Sequence, residues 1–229
     1  MIVAIHQPNY APWLGYFYKV AHSDLFVFLD DAQFSVGSYT NRVKIGRSGD
    51  SIWLTQPIRK KFGQPICAVE FSNCDWPRRH LDALRGAYCR ANAFAEVWPA
   101  IQEIWNNVPS NSLAVTNRYI IEELSKLVGI RTRFCVSSDI STDVALGDER
   151  LVKIMQIVSP PGSIYLSGAG GSDYQSSETF SKRGHKLEYS TFSHPQYHRS
   201  EEKFILGLSI LDVLFHLGID QTEKFVRGG

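Results

Sequence analysis

Ile2-Val3-Ala4-Ile5-His6-Gln7-Pro8-Asn9-Tyr10-Ala11-Pro12, followed a short way on by Leu25-Phe26-Val27-Phe28-Leu29, is the stretch whose reading decides the fold. The two apolar runs do not alternate with polar residues, so each suits a strand covered on both faces, as in a parallel sheet. Between them, Pro8 and Pro12 fix φ and lack an N–H, which makes 6–12 a loop. Beyond that loop, Leu14, Phe17, Tyr18 and Ala21 have helical spacing and predict a short helix over about 13–22 that carries Lys19. Strand, loop, helix and strand in this order make a parallel βαβ unit.

Working outward, residues 51–55 and 66–71 read as strands flanking a polar turn region, and a β-hairpin fits them. Helices are expected at about 76–92, 94–107 and 112–128, the last stopped by Gly129. The α/β alternation then returns, with strands at 131–136, 163–166 and 187–192, a helix at 148–158 and an apolar closing helix at 204–217. The expectation is one α/β domain over 1–229, a mostly parallel Rossmann-like sheet with a β-hairpin and helical insertion at about 35–130.

Composition narrows the function classes. The 229 residues are 44% hydrophobic and carry 24 Lys+Arg against 23 Asp+Glu, a net charge of +1. Such a chain is neither disordered nor a dedicated nucleic-acid binder. The average conceals a basic segment: residues 41–90 hold ten Lys/Arg against four acids, enough to attract a phosphate-bearing ligand. Cys67, Cys74, Cys89 and Cys135 form no CxxC pair, which argues against a zinc ribbon or a disulfide scaffold. The apolar start breaks at His6-Gln7-Pro8, too early for a signal-peptide core or a membrane span, so a cytoplasmic protein without membrane insertion is expected.

Open parallel sheets bind ligands beyond the carboxyl ends of their strands. Four predicted strands end in polar or glycine-rich segments: His6-Gln7-Pro8-Asn9-Tyr10, Asp30-Asp31-Ala32-Gln33, Ser137-Ser138-Asp139, and Ser167-Gly168-Ala169-Gly170-Gly171. His6 can act as general acid or base, position an anion, or simply bond a turn. Lys19 can place a cation near a phosphate or carboxylate, or extend its stem over apolar surface. Asp30 and Asp31 are adjacent, so strand alternation turns only one of them toward a ligand. The Ser167-Gly168 turn can cradle an anion with its N–H groups. It has neither the Walker spacing nor the GxGxxG register, and no cofactor or metal is read from the sequence. Nine aromatics crowd residues 1–40, among them Tyr10, Trp13 and Tyr16 as prospective pocket walls.

These residues carry a resemblance. Ile5-His6-Gln7-Pro8-Asn9-Tyr10, Pro12-Trp13-Leu14-Gly15-Tyr16-Phe17-Tyr18-Lys19, Asp30-Asp31-Ala32-Gln33-Phe34 and Asn41-Arg42 resemble the opening of the WbqC-like protein family. The likeness continues through Ser137-Ser138, Tyr165-Leu166-Ser167-Gly168, Tyr174, and Pro195-Gln196-Tyr197, while Gly170-Gly171-Ser172 departs from it. The resemblance implies a transferase that moves an activated acyl or aminoacyl group onto the amine of a small acceptor such as an amino sugar. The setting it implies is bacterial surface-polysaccharide (O-antigen) or specialised-metabolite biosynthesis. His6, Asp30 and Lys19 would then be catalytic. Gln7, Asn9, Tyr10, Gly15, Asp31, Gln33, Asn41, Arg42, Ser137, Ser138, Ser167, Gly168, Tyr174 and Tyr197 would bind substrate. Implied partners are an amine or sugar-nucleotide substrate and a donor such as aminoacyl-tRNA, an acyl carrier or a nucleotide. The competing readings are a nucleotidyltransferase-like enzyme using Lys19 and the basic segment, and a non-catalytic module that holds a tRNA or sugar intermediate.

Overall fold

The computed structural model describes residues 1–109, 111–140, 146–197 and 205–228. Five parallel strands form the central sheet: β1 (Ile2–His6), β2 (Leu25–Phe28), β7 (Arg133–Val136), β8 (Ile164–Ser167) and β9 (Lys186–Tyr189). Their spatial order is β7-β2-β1-β8-β9, so the winding direction reverses between β1 and β8. Crossovers are made by α1 (Leu14–Ala21), α5 (Gly147–Val158) and α6 (Ser177–Ser181), with the insertion bridging β2 to β7.

The unbroken apolar runs have the expected cause. Ala4, Phe26 and Phe28 join a large core with Leu14, Phe17, Leu211 and Phe215, whereas Val3, Ile5, Leu25 and Val27 join a second core with Val152, Met155 and Phe180. Successive residues alternate between two covered faces, so no position faces water. A one-residue slip in register would exchange every one of these partners.

The insertion contains β3 (Arg42–Arg47), β4 (Asp50–Thr55), β5 (Ile58–Arg59), β6 (Glu70–Phe71), α2 (Trp76–Tyr88), α3 (Phe94–Asn106) and α4 (Leu113–Leu127). Its hairpin is not the one expected. β4 pairs with β3 around Ser48 and Gly49, both at positive φ, as a tight two-residue turn requires. Residues 66–71 instead form one 3-10 turn, Ile66–Ala68, and the two-residue β6, which pairs with β5. Val43 and Ile45 face the core while Arg42 and Lys44 are half-exposed, an alternation that makes 42–47 the stronger partner for β4. The helices of the insertion share the large core with the sheet.

The closing helix also starts later than expected. α7 (Ile210–Arg227) is capped by Ser209, whose side chain accepts from the Leu211 N–H, and it bends at Gly218 (φ +82°). Phe204, where the helix was expected to begin, lies outside the described residues. No helix among the described residues is long and apolar enough to cross a membrane.

Candidate active site

The loop after β1 contains two prolines, so its carbonyls need donors from elsewhere. Asn117 Nδ2 donates to the carbonyls of Pro8 (2.9 Å) and Thr40 (2.6 Å), and Ser209 Oγ donates to that of Ala11 (2.6 Å). The Ile210 N–H takes the Pro12 carbonyl at 2.9 Å. Ala11 is thereby held at φ +36°, a left-handed conformation that a non-glycine residue adopts only under such constraint. The Gln7 carbonyl accepts from the Tyr16 hydroxyl (3.0 Å) and from His6 Nδ1 (3.1 Å).

This pinned loop forms one wall of a cavity of about 600 Å³ at the carboxyl ends of β1 and β8, where the winding reverses. His6, Gln7, Gly15, Lys19, Ser167, Gly168 and Tyr174 all line it. Trp13, Tyr16, Tyr165 and Phe192 supply aromatic walls. A second cavity of similar volume, lined by Met1, Asp24, Arg131 and Arg133, lies at the opposite end of the sheet and contains none of the predicted residues.

Lys19 is buried on α1, and its Nζ donates to the Ile5 carbonyl at 3.3 Å. No carboxylate pairs with it among the described residues. Burial disfavours the ammonium and lowers its pKa from 10.5 to about 7. Burial, then the nearby Lys19 charge, lowers His6 from 6.5 to about 3, against a small opposing effect of its bond to Gln7. His6 is therefore neutral near pH 7. With Nδ1–H on the Gln7 carbonyl, Nε2 carries the free lone pair. The imidazole that looked like the proton acceptor is the weaker base, and the lysine is the one matched to neutral pH.

Across the cavity, β8 runs into a 3-10 turn over Ala169–Asp173. Its first internal bond joins the Gly171 N–H to the Gly168 carbonyl, which leaves the amides of Ala169 and Gly170 without partners among the described residues. Gly171 has no room for a side chain, because a Cβ would lie 2.4 Å from both Ser167 Oγ and Gln175 Oε1. Gln175 Oε1 is itself buried without a hydrogen-bond partner among the described residues. Gly15 is likewise enforced, since a Cβ there would meet the Phe192 ring at 2.7 Å.

Other predicted residues sit elsewhere. Asp30 accepts from Ser137 Oγ (3.2 Å), the Ser138 N–H (2.9 Å) and Ser138 Oγ (2.8 Å), which ties the end of β2 to the end of β7. Asp31 accepts from Ser137 Oγ and pairs with Arg150. This group borders a separate cavity of about 220 Å³ that also includes Cys67 and Arg118. Tyr10 is fully buried, its hydroxyl joined to His80 Nδ1 (2.7 Å) and Trp105 Nε1 (3.0 Å). Tyr197 is buried as a donor to Asp212 Oδ2 (2.7 Å). Asn41 is buried and exchanges bonds with the backbone of Gln56. Asn9 is buried, Gln33 is exposed and bridges to Pro65, and Arg42 lies on the hairpin. Among the described residues, no group of three or more His, Cys, Asp or Glu is arranged to hold a metal ion.

Sequence reasoning missed Phe192, Gln175 and Tyr165 as cavity walls. The post-strand rule would have reached Phe192, which follows β9, had that fifth strand end been included. Tyr165 and Gln175 carry no local signal.

Comparison with known proteins agrees with the early motifs. The model of the WbqC-like protein family matches residues 7–224. The chain is 31% identical over 225 residues to the uncharacterized protein Rv1507c of Mycobacterium tuberculosis, covering 96% of each chain. No solved structure matches.

Proposed function

Because the chain belongs to the WbqC-like protein family, we propose that the β1–β8 cavity transfers an activated acyl or aminoacyl group to the amine of a small acceptor, such as an amino sugar. The observation that carries this reading is Lys19: a buried amine at the strand-end cavity, with no carboxylate partner among the described residues and a pKa of about 7. An acceptor amine arrives largely as an ammonium and is not nucleophilic until it loses a proton. Neutral Lys19 Nζ takes that proton. The freed amine attacks the acyl carbon, a C–N bond forms, and the bond to the donor's leaving group breaks as that group takes the second proton from the nitrogen, giving an amide. The unpartnered amides of Ala169 and Gly170 are suited to the oxyanion that develops. His6, neutral at this pH, offers Nε2 as an acceptor that orients the acceptor molecule. A volume of about 600 Å³ is in the range of small-molecule sites.

The cytoplasmic setting and the place in surface-polysaccharide or specialised-metabolite synthesis come from the family resemblance and belong to the same proposal. The test is transfer of a labelled aminoacyl or acyl group to an amino sugar, followed by mass spectrometry for wild type and Lys19→Met. An amide product that the variant forms at the wild-type rate overturns the assignment.

A further inference from the structure

The ring contacts of the cavity continue past its rim. His6 meets Trp13 edge-on with centroids 6.2 Å apart, Trp13 meets Tyr39 at 5.4 Å, and Tyr39 meets Trp53 at 5.6 Å. Trp53 lies on the outer face of β4 and is 39% exposed, and Tyr39 is 37% exposed. The register places Lys44 directly opposite Trp53, with its Nζ 5.2 Å from the indole centroid, and the Arg42 guanidinium carbon lies 4.2 Å from it.

No ion pair among the described residues answers the cations beside this chain of rings, and none of the ten Lys/Arg of residues 41–90 forms one there. Arg42 Nε is buried with no hydrogen-bond partner among the described residues, although its Nη2 donates to the Gly37 carbonyl. Cation–π contact with Trp53 holds the two cations in place but does not neutralise them. Exposed flat rings beside two fixed positive charges are complementary to a planar base followed by phosphates.

We propose that the outer face of the β3–β4 hairpin binds a nucleoside diphosphate, its base on Tyr39 and Trp53 and its phosphates on Arg42 and Lys44, with the group it carries passing over Trp13 into the cavity. Two cations on the ring path match two phosphates, and the path ends in a cavity of small-molecule size. A nucleic-acid strand, being longer than one nucleotide, would draw on further cations such as the exposed Arg78 and Arg79 of α2, for which no contact with these rings is seen among the described residues. The direction in which the carried group enters rests on the proposed transfer site, whereas nucleotide binding on the hairpin does not.

Calorimetry with UDP, ADP, GDP and TDP on the full chain at low salt tests this, with the corresponding nucleosides as controls. At least one diphosphate is expected to bind, more tightly than its nucleoside, with affinity that falls as salt is added. Trp53→Ala should weaken binding about tenfold, the size of a lost base–aromatic stack. Lys44→Glu, on the solvent side of the hairpin, should weaken it at least as much while circular dichroism stays unchanged. No binding of any diphosphate at millimolar concentration overturns the proposal, as does binding that both variants leave intact. Tighter binding of a single-stranded RNA oligomer, lost in Arg78→Ala/Arg79→Ala, overturns it in favour of a nucleic-acid surface. Diphosphate binding without any group transfer would sink the proposed transfer function and leave the nucleotide site standing.

Discussion

Lys19 Nζ lies 3.3 Å from the carbonyl oxygen of Ile5, and no acidic side chain faces it among the described residues. A buried lysine whose charge is answered by one carbonyl and the face of the Phe26 ring, 5.9 Å away, and by no carboxylate among the described residues, is destabilised as an ammonium and stabilised as a free amine. The strand that ends in His6 therefore also creates the base beside it. The imidazole, desolvated by burial and also next to the Lys19 charge, is driven toward its own neutral form.

Lys19→Met is expected to lower the rate of acyl transfer by about 10²–10⁴-fold, the range for a lost proton acceptor. In the wild type the rate should rise with pH through about 7 as the amine becomes neutral. Lys19→Arg should keep the cation and lose the rate, because a guanidinium does not release its proton in this range. Initial rates between pH 5.5 and 9 for the three proteins check this. A basic limb that persists in Lys19→Arg assigns the proton transfer to another group.

The same substitution has a stability signature of definite sign. Lys19 has a folded pKa of about 7 against 10.5 for the ordinary side chain. Between those values the unfolded chain binds more protons than the folded one, so wild-type stability rises with pH across the window. The penalty for holding the lysine is complete below about pH 7 and shrinks toward pH 10.5. Lys19→Met should therefore raise the melting temperature most at pH 6 and least at pH 10. Calorimetric scans at the two values decide it, and an equal shift at both would mean that Lys19 is not desolvated in solution.

Two histidines extend this trend into acid. Burial lowers His6 to about 3 and His80 to about 4, the latter against its bond to the Thr55 carbonyl. Their unfolded forms protonate near 6.5, so stability is lost as pH falls from about 6.5 toward those lower values. Denaturant midpoints should drop between pH 6.5 and 4.5, and the slope should be shallower in His6→Gln. Tyr10→Phe, which leaves buried His80 Nδ1 and Trp105 Nε1 without their shared partner, should cost about 1–3 kcal/mol at pH 7. An unchanged midpoint in Tyr10→Phe would remove the buried network as a source of stability.

Much of this arrangement is legible in the sequence because periodicity and proline are local signals. The runs 2–5 and 25–29 gave a two-faced parallel sheet, and strand ends then pointed to His6, Ser167 and Gly168 together. Partner choice was less legible. Residues 51–55 fit either neighbour as a strand, and the decision lies in Ser48-Gly49 and in the alternation of Val43 and Ile45. The placement of Asp30 and Tyr10 was hidden for another reason. Their partners Ser138, His80 and Trp105 are 108, 70 and 95 residues away, so only the packed fold shows that these polar groups are already bonded.

Two glycines of the β8 turn should respond oppositely to alanine. A Cβ at Gly171 would lie 2.4 Å from Ser167 Oγ and Gln175 Oε1, whereas one at Gly168 has nothing within 4 Å, and its φ of −71° suits any residue. Gly171→Ala must displace the polar wall of the cavity and should cut turnover by tenfold or more, roughly the loss expected from moving a positioned group by an ångström. Gly168→Ala should leave the melting temperature unchanged, with a free-energy effect within about 0.5 kcal/mol. Equal activity for both variants would show that this turn does not border the reacting groups.

Asp30→Asn separates a structural carboxylate from a catalytic one. The carboxylate is buried and takes three bonds from Ser137 and Ser138, which fasten β2 to β7 at the edge of a cavity distinct from the one lined by Lys19. The amide retains one oxygen to accept from the Ser138 N–H, but its NH₂ faces a hydroxyl that had donated to the carboxylate. Replacing a charged acceptor in a buried, satisfied group should cost about 1–3 kcal/mol of stability. Turnover measured below the new melting temperature should fall by less than the loss in Lys19→Met, because the proton from the acceptor amine does not pass through this group. If Asp30→Asn instead melts like the wild type and loses as much rate as Lys19→Met, Asp30 is the proton acceptor and Lys19 only positions the substrate.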